Sequence, residues 1–287
     1  MPSALPAPSL SRARFPWSRF AEVSRSGLGA VRPFATHDFP DPQGWNFKPA
    51  WPPSYWAFGR MRAVLAIEDA LALPAKSVLE VASGDGALCA VLAAAGRQTT
   101  ANDLRTENLT DGLRNFRNGR EIRLLGGNLF DLDPETTGRF DLVIACEILE
   151  HVAHTVDFLK QLRRFLNPGG RALITTPNGA FFRNRLPTWA QVEDFTALES
   201  RQFKPDADGH LFLITPGEMD HLGREAGFSV ERLYVWGSPF ITGNAGFHQL
   251  SGRWSAGLAR WGESAVQWLP GPLRSKLCTA QVAVLRH

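Results

Sequence analysis

Cysteine is scarce in this 287-residue chain. Its three cysteines, Cys89, Cys146 and Cys278, lie far apart with no C-x-x-C or other paired spacing. The pattern argues against a disulfide framework and predicts reduced core thiols in a cytosol-like compartment. Long apolar runs are lacking too: the longest candidate, Ala87 to Ala95, falls well short of the roughly 18 residues that span a bilayer. Nor does one charge dominate, because 31 Lys plus Arg stand against 28 Asp plus Glu. An excess this small is no strong basic field and makes nucleic acid an unneeded partner. There is no internal repeat. What is present is a hydrophobic content of 44%, enough at this length to bury a sizeable core in one large α/β domain or two small ones.

Residues 1 to about 40 show no hydrophobic periodicity and are rich in Pro, Ser and Arg, so a disordered or loosely attached arm is expected. Arg12, Arg14, Arg19, Arg25 and Arg32, with Glu22 the only acid before Asp38, match the composition of an organellar transit peptide. Pro2, Pro6, Pro8 and Pro16 interrupt the amphipathic helix such a peptide needs. The expected location is therefore cytoplasmic, with the organelle as the alternative. A dense aromatic patch follows from Trp45 to Phe58, interleaved with Pro49, Pro52 and Pro53; it is suited either to cap a substrate pocket or to pack an arm on the main domain. These features set the boundaries at residues 1–55 for the arm and 56–287 for the main domain.

Beyond this point short β-rich runs alternate with amphipathic helices, the signature of a doubly wound, mostly parallel sheet. The pattern predicts a helix over Arg60–Leu73, then strand Ser77–Val81, helix Ala87–Ala95, strand Gln98–Asn102, helix Thr106–Phe116 and strand Ile122–Leu125. Strand Phe140–Ala145, helix Thr155–Leu166, strand Arg171–Thr176, helix Pro216–Ala226, strand Phe228–Val235 and strand Gln281–Leu285 complete it. Thr215 and Glu218 form a capping box at the start of the last of these helices, and Asn167-Pro168-Gly169-Gly170 closes the one before. Residues 237–275 carry Trp254, Leu258, Trp261, Val266 and Trp268 in an amphipathic, helical insertion. It either packs on the domain or touches a membrane surface or lipid substrate.

The run Val78-Leu79-Glu80-Val81-Ala82-Ser83-Gly84-Asp85-Gly86 ends a strand in a small-residue turn and leads into a helix. The backbone there can approach a nucleotide-like ligand at the carboxyl edge of the sheet. Asp103 ends the second strand, where a carboxylate can accept both ribose hydroxyls of a nucleoside; the alternative is a cap for the following helix. Asn128 and Leu129 follow the third strand, placed to read an adenine edge and pack on its face. Glu80 to Gly86, Asp103, Asn128, Phe140-Asp141-Leu142-Val143 and Leu166 to Gly170, in that order, resemble the successive motifs of class I S-adenosylmethionine-dependent methyltransferases over roughly Ser77 to Phe228. The resemblance implies a Rossmann-like sheet of seven strands, the last antiparallel, and S-adenosylmethionine held by Glu80, Ala82, Ser83, Gly84, Gly86, Asp103, Leu104, Asn128, Leu129 and Glu147. Two departures stand out: Ala82 replaces the first glycine of the turn, and Asn128 stands where an acid is common.

After the fourth strand comes Glu147-Ile148-Leu149-Glu150-His151, whose helical spacing would put Glu147, Glu150 and His151 on one face. With Thr175-Thr176-Pro177-Asn178 it resembles the subgroup of ubiquinone-biosynthesis O-methyltransferases; small-RNA 2′-O-methyltransferases share the E-x-x-E-H pattern. By that resemblance Glu147, Glu150, His151 and His210 would hold a divalent metal, Mg or Zn, that orients the acceptor hydroxyl. Without metal, His151 is the candidate base, with Glu150 beside it. His154 and His221 are expected on helix surfaces. Phe181, Phe182, Trp189 and Phe195, with Arg183, Arg185, Arg201 and Lys204, would form a lid over an anionic acceptor or a solvated loop. The leading expectation is O-methylation of a small aromatic, lipid-linked or sugar acceptor. RNA ribose 2′-O-methylation and a non-catalytic scaffold are the alternatives. Oligomeric state is not encoded in any of these features.

Overall fold

A computed structural model describes residues 8–15, 55–84, 86–113, 121–202, 209–242 and 256–287. In chain order the elements are α1 (Tyr55–Ala72), β1 (Ser77–Val81), α2 (Ala87–Ala94), β2 (Gln98–Asp103), α3 (Thr106–Leu113), β3 (Arg123–Gly126) and the short α4 (Pro134–Thr137). There follow β4 (Phe140–Cys146), α5 (Thr155–Arg164), β5 (Leu166–Pro177), α6 (Thr196–Glu199), α7 (Pro216–Glu225) and β6 (Ser229–Trp236). Three helices, α8 (Pro239–Thr242), α9 (Ala256–Val266) and α10 (Gly271–Leu277), lead to β7 (Ala280–Arg286). The seven strands lie in the order β3-β2-β1-β4-β5-β7-β6. All neighbours are parallel except at β7, which runs antiparallel to both β5 and β6. This is the expected sheet.

The sheet is buried on both faces, which is why its central strands read as largely apolar runs rather than alternating ones. In β4, Val143 and Ala145 pack into the core under α5 and α7 with Phe158, Leu162 and Leu222. Leu142 and Ile144 face the other way, into the core shared with Leu65 and Ile67 of α1 and Tyr234 and Trp236 of β6. A smaller cluster of Cys89, Ala90, Leu109 and Leu113 closes α2 against α3. The three cysteines are unpaired. Asp141 ties the layers at the amino edge: its carboxylate accepts from the Lys76 and Ser77 amides and from Asn167 in the turn before β5.

Part of the expected arm is attached rather than loose. Residues 8–15 lie along β6, the edge strand, where the Ser11 amide donates to the Leu233 carbonyl at 2.8 Å. Ala13 is buried, and Arg274 donates to the carbonyls of Leu10 and Ser11. A strap of this kind covers an edge that would otherwise present unpaired backbone groups. The aromatic patch is helical from Tyr55 onward; Trp45, Phe47 and Trp51 lie outside the described residues, as do the expected helix end at Phe116, Asp85, Lys204 and Trp254. No described helix is long and apolar enough to cross a membrane.

Candidate active site

Strands β1, β2, β3 and β4 end on the same edge of the sheet, and the turns that leave them enclose a cavity of about 630 Å³. Its walls include Ala82 after β1, Asp103 and Leu104 after β2, and Asn128, Leu129 and Phe130 after β3. Ile148, Val152, His154, Asp157 and Phe158 line it from the β4 side, with Glu199 and Gln202 across the mouth. Crevices of this type, at the carboxyl ends of strands where the order reverses, are where open α/β sheets bind ligands.

The turn after β1 is tied to β2 by backbone and side-chain bonds. The Ser83 amide donates to the Asn102 carbonyl, and the Gly84 amide to Asp103 Oδ2 at 2.9 Å. Asp103 Oδ1 accepts from the Arg105 amide at 3.0 Å. The carboxylate is thus held between two backbone donors rather than capping α3. Asn102 fixes the loop after β3 by donating to the Leu125 and Gly127 carbonyls. Asn128 caps the turn Leu129–Asp131 through the Phe130 amide, which anchors its amide group on the cavity wall. Ala82, where the resemblance leads one to expect glycine, has φ of +56°, the left-handed region that costs an L-residue about 1–2 kcal/mol. Gly86 has φ of +77°.

Not every expected cofactor residue lines the cavity. Glu80 is buried and turned toward α2, where Oε2 accepts from the Cys89 amide at 3.2 Å. Ser83 bonds back to the Glu80 carbonyl through its hydroxyl. Both, with Gly84 and Gly86, shape the turn from outside the cavity lining.

The segment after β4 departs from the expected helical face. Glu147 has φ of +54°, and its amide continues the sheet by donating to the Thr175 carbonyl. A 3-10 turn over Leu149–His151 follows. This backbone sends Glu147 away from its neighbours: Oε2 pairs with Arg62 of α1 at 2.6 Å and Oε1 accepts from the Thr175 hydroxyl. Glu150, by contrast, is wholly buried, with Oε2 accepting from the Thr176 hydroxyl at 2.8 Å. Its Oε1 is buried without a hydrogen-bond partner and stands 3.9 Å from His210 Nε2. One ligand atom each from Glu150, His151 and His210 lies within 4.8 Å of the others. Of the four expected metal ligands, three converge and Glu147 stands apart.

Charge in this cluster is suppressed by burial. Desolvation, with the Glu147 charge adding to it, pushes the Glu150 carboxyl up to about 8. Burial and then the neighbouring His151 hold His210 below its ordinary value, which favours a neutral imidazole. Cys146, at the end of β4, is pushed up to about 12 by burial and by Glu80, so it is a thiol and not a nucleophile.

Two further histidines divide. His221 is on the surface of α7, 3.3 Å from Glu225 one turn on, as expected. His154 instead precedes α5 and lines the cavity, its Nε2 bonded to Glu199 Oε1 at 2.6 Å. The expected aromatic lid is packed elsewhere: Trp189 stacks obliquely on Phe195, and Phe195 meets Phe212 edge to face. Glu199 and Gln202 of the same segment reach the cavity in its place, Gln202 by accepting from the Ala153 amide. Arg183, Arg185 and Arg201 are exposed. Sequence reasoning missed Arg62, Phe158, Glu199 and Gln202 because each sits far along the chain from the motif it serves. Phe130, Ile148 and Val152 adjoin motif residues, and adjacency was their only signal.

A doubly wound sheet of this order, with a cavity at its carboxyl edge walled by a strand-terminal aspartate beside a glycine-bearing turn, is the architecture of the class I S-adenosylmethionine-dependent methyltransferases. The chain belongs to that family: residues 55–233 match the family model described as a methyltransferase domain. It is similar to the ubiquinone biosynthesis O-methyltransferase of Xanthomonas euvesicatoria pv. vesicatoria, 29% identical over 58% of this chain and 67% of that one. A homologue of the same name from Azotobacter vinelandii is 32% identical over 39% of this chain and 49% of its own length. The chain therefore spans between about half and two thirds of these relatives. Among solved structures, phosphoethanolamine N-methyltransferase 2 of Haemonchus contortus in complex with S-adenosyl-L-methionine shares the fold. The TM-score is 0.51 at 16% identity, over 93% of this chain and 59% of that one. The protein is an S-adenosylmethionine-dependent methyltransferase.

Proposed function

We propose that the protein methylates a hydroxyl of a small aromatic, lipid-linked or sugar acceptor, using Glu150, His151 and His210 to hold and deprotonate that hydroxyl. The observation that carries this reading is the convergence of those three ligand atoms within 4.8 Å around a buried carboxylate oxygen that has no hydrogen-bond partner. Such an atom is costly to leave unsatisfied and is aimed at something that binds it. The similarity to O-methyltransferases supports the same assignment.

The roles of the chain follow from the geometry. Asp103 offers its remaining acceptor capacity to ribose hydroxyls, while Asn128, Leu129, Phe130 and Phe158 take the base on the cavity wall. Arg62 and Glu147, already paired across 2.6 Å, are a ready match for the carboxylate and ammonium of an amino-acid moiety. S-adenosylmethionine supplies a sulfonium methyl group. With it bound, methyl transfer to the acceptor oxygen would leave S-adenosylhomocysteine and require the hydroxyl proton to depart. His151 and His210 are placed to take it, His210 being kept neutral by burial. A divalent cation fits the same donors, one carboxylate oxygen and two imidazole nitrogens. Held by Glu150, His151 and His210, it would lower the acceptor hydroxyl's pKa.

The test is titration of a catechol probe into the protein saturated with S-adenosylhomocysteine, with chelator and then with added magnesium or zinc. Metal-dependent binding that is lost in His210→Ala supports the reading with metal. Metal-independent binding lost in the same variant supports the base alone. Probe binding and methylation indifferent to His210→Ala would overturn both.

A further inference from the structure

The face built by α9 and α10 takes no part in the methyl-transfer site, and it is built inside out. Along α9, Ala259, Glu263 and Val266 are buried against the domain, so Leu258, Trp261 and Ala265, at i, i+3 and i+7, line the opposite side. Trp261 is 65% exposed and Trp268, just past the end of α9, is 71% exposed. Leu258 at 42% and Leu273 of α10 at 51% are the other exposed large apolar side chains of these two helices. The one carboxylate of this segment points inward: Glu263 is fully buried and accepts from the Gly237 and Ser238 amides. Tryptophans face out while the acid caps a turn within, the reverse of an ordinary surface helix.

Charge is arranged to match. From Gly237 to His287 the sequence holds five Lys and Arg and a single acid, the buried Glu263. Around the patch the exposed charged groups of α10 and of the strap are Lys276, Arg12 and Arg14, all cationic. The Arg12 guanidinium lies 3.7 Å from the centroid of the Trp268 ring, so a cation and an indole are presented together. Position matters as well. Trp236 and Pro177 both pair with Ala280, so the chain that leaves β6 for these helices departs from the carboxyl edge that carries the active site. The Phe182 amide donates to the Lys276 carbonyl at 3.0 Å, which sets Phe182, 53% exposed, beside α10 on that edge.

We propose that α9 and α10 dock the enzyme on an anionic lipid bilayer, with Trp261 and Trp268 at headgroup depth and Arg12, Arg14 and Lys276 against lipid phosphates. Tryptophan favours the boundary between headgroup and acyl chain, and clustered cations add attraction to anionic lipid. A second copy of the chain suits the face poorly. A two-fold contact on it would bring Arg12, Arg14 and Lys276 against their own equivalents, and the described residues of α9, α10 and the strap include no exposed acid to answer them. The inference concerns where the enzyme works and does not depend on the identity of the acceptor.

The test is flotation of the full chain with vesicles of phosphatidylglycerol mixed into phosphatidylcholine, against vesicles of phosphatidylcholine alone, at low and high salt. The expected result is binding to the anionic vesicles that weakens at high salt. In Trp261→Ser/Trp268→Ser the affinity should fall by about tenfold or more, with S-adenosylhomocysteine affinity and melting temperature unchanged. Trp268→Ser alone, expected to give a smaller loss, serves if the double variant is impaired in folding. Absence of vesicle binding at low salt would overturn the proposal, as would equal binding by the variants. A concentration-dependent dimer abolished by the same substitutions, without vesicle binding, would assign the face to a second copy instead.

Discussion

Gly86→Ala tests how the turn after β1 is built. Gly86 has φ of +77°, and left-handed backbone costs an L-residue about 1–2 kcal/mol. A β-carbon there would also stand 2.5 Å from Leu113 Cδ2 and 3.0 Å from Leu109 Cδ1. Both leucines are buried, at 4% and 0% exposure, so neither can swing into solvent. Relief requires strained rotamers or a shift of α3, at about 1–3 kcal/mol. The two costs together come to about 3 kcal/mol, which for a chain of this size lowers the melting temperature by roughly 6–12 °C. Gly84→Ala is the matched control: φ is +59° there, but nothing lies within 4 Å of the added carbon, so only the backbone cost applies. Thermal melts of the two variants without ligand should therefore differ by the packing cost alone. Because α3 follows directly on Asp103, Gly86→Ala should also weaken S-adenosylhomocysteine binding by about tenfold in calorimetry, on the order of 1.4 kcal/mol. Equal melting of the two variants, or a Gly86→Ala melt within about 2 °C of the parent, would refute the reasoning.

Three other outcomes follow from the site and its supports. Asp103→Ala removes the acceptor oriented by the Gly84 and Arg105 amides and should lower S-adenosylhomocysteine affinity by about a hundredfold; calorimetry showing parental affinity would rule out the ribose role. Glu150→Gln should abolish methyl transfer yet raise the melting temperature above neutral pH, because a carboxyl raised by burial to about 8 from an ordinary 4.5 lets stability fall as pH rises across that window. A variant melting at or below the parent at every pH would count against that picture. Asp141 behaves oppositely: the Ser77 amide chief among its donors lowers its carboxyl to about 2 from 3.8, so its contribution is present above pH 4 and lost as pH falls toward 2. Asp141→Asn should lower the melting temperature at pH 7 and flatten the acid limb of the stability profile, and an unchanged limb would assign acid sensitivity to other groups.

Most of the fold could be read along the chain because both faces of the sheet are buried. Leu142 to Ala145 and Ala172 to Ile174 are uninterrupted apolar runs, Val78 to Val81 is broken only by the buried Glu80, and a small-residue turn follows β1. Capping chemistry fixed the start of α7, where Thr215 and Glu218 form the expected reciprocal bonds. Local signals of this kind also picked out Asp103, Asn128 and Leu129, which follow strand ends and line the cavity.

Wherever a residue's role depends on a partner distant in sequence, only the tertiary structure decided it. Glu147 and Glu150 are three residues apart and look equivalent in an E-x-x-E-H stretch. The left-handed backbone at Glu147 gives one to Arg62 and leaves the other buried with His210. His154 was indistinguishable from a surface histidine until α6 brought Glu199 to it, and residues 8–15 carried no pattern that foretold their bonds to β6 and α10. Periodicity and turn chemistry are properties of neighbours along the chain, so the sequence by itself determined the sheet, its order of elements and the cofactor edge. Which carboxylate is desolvated, which imidazole faces it and which tryptophans stay outside are properties of packing between segments, and these the folded chain alone could set.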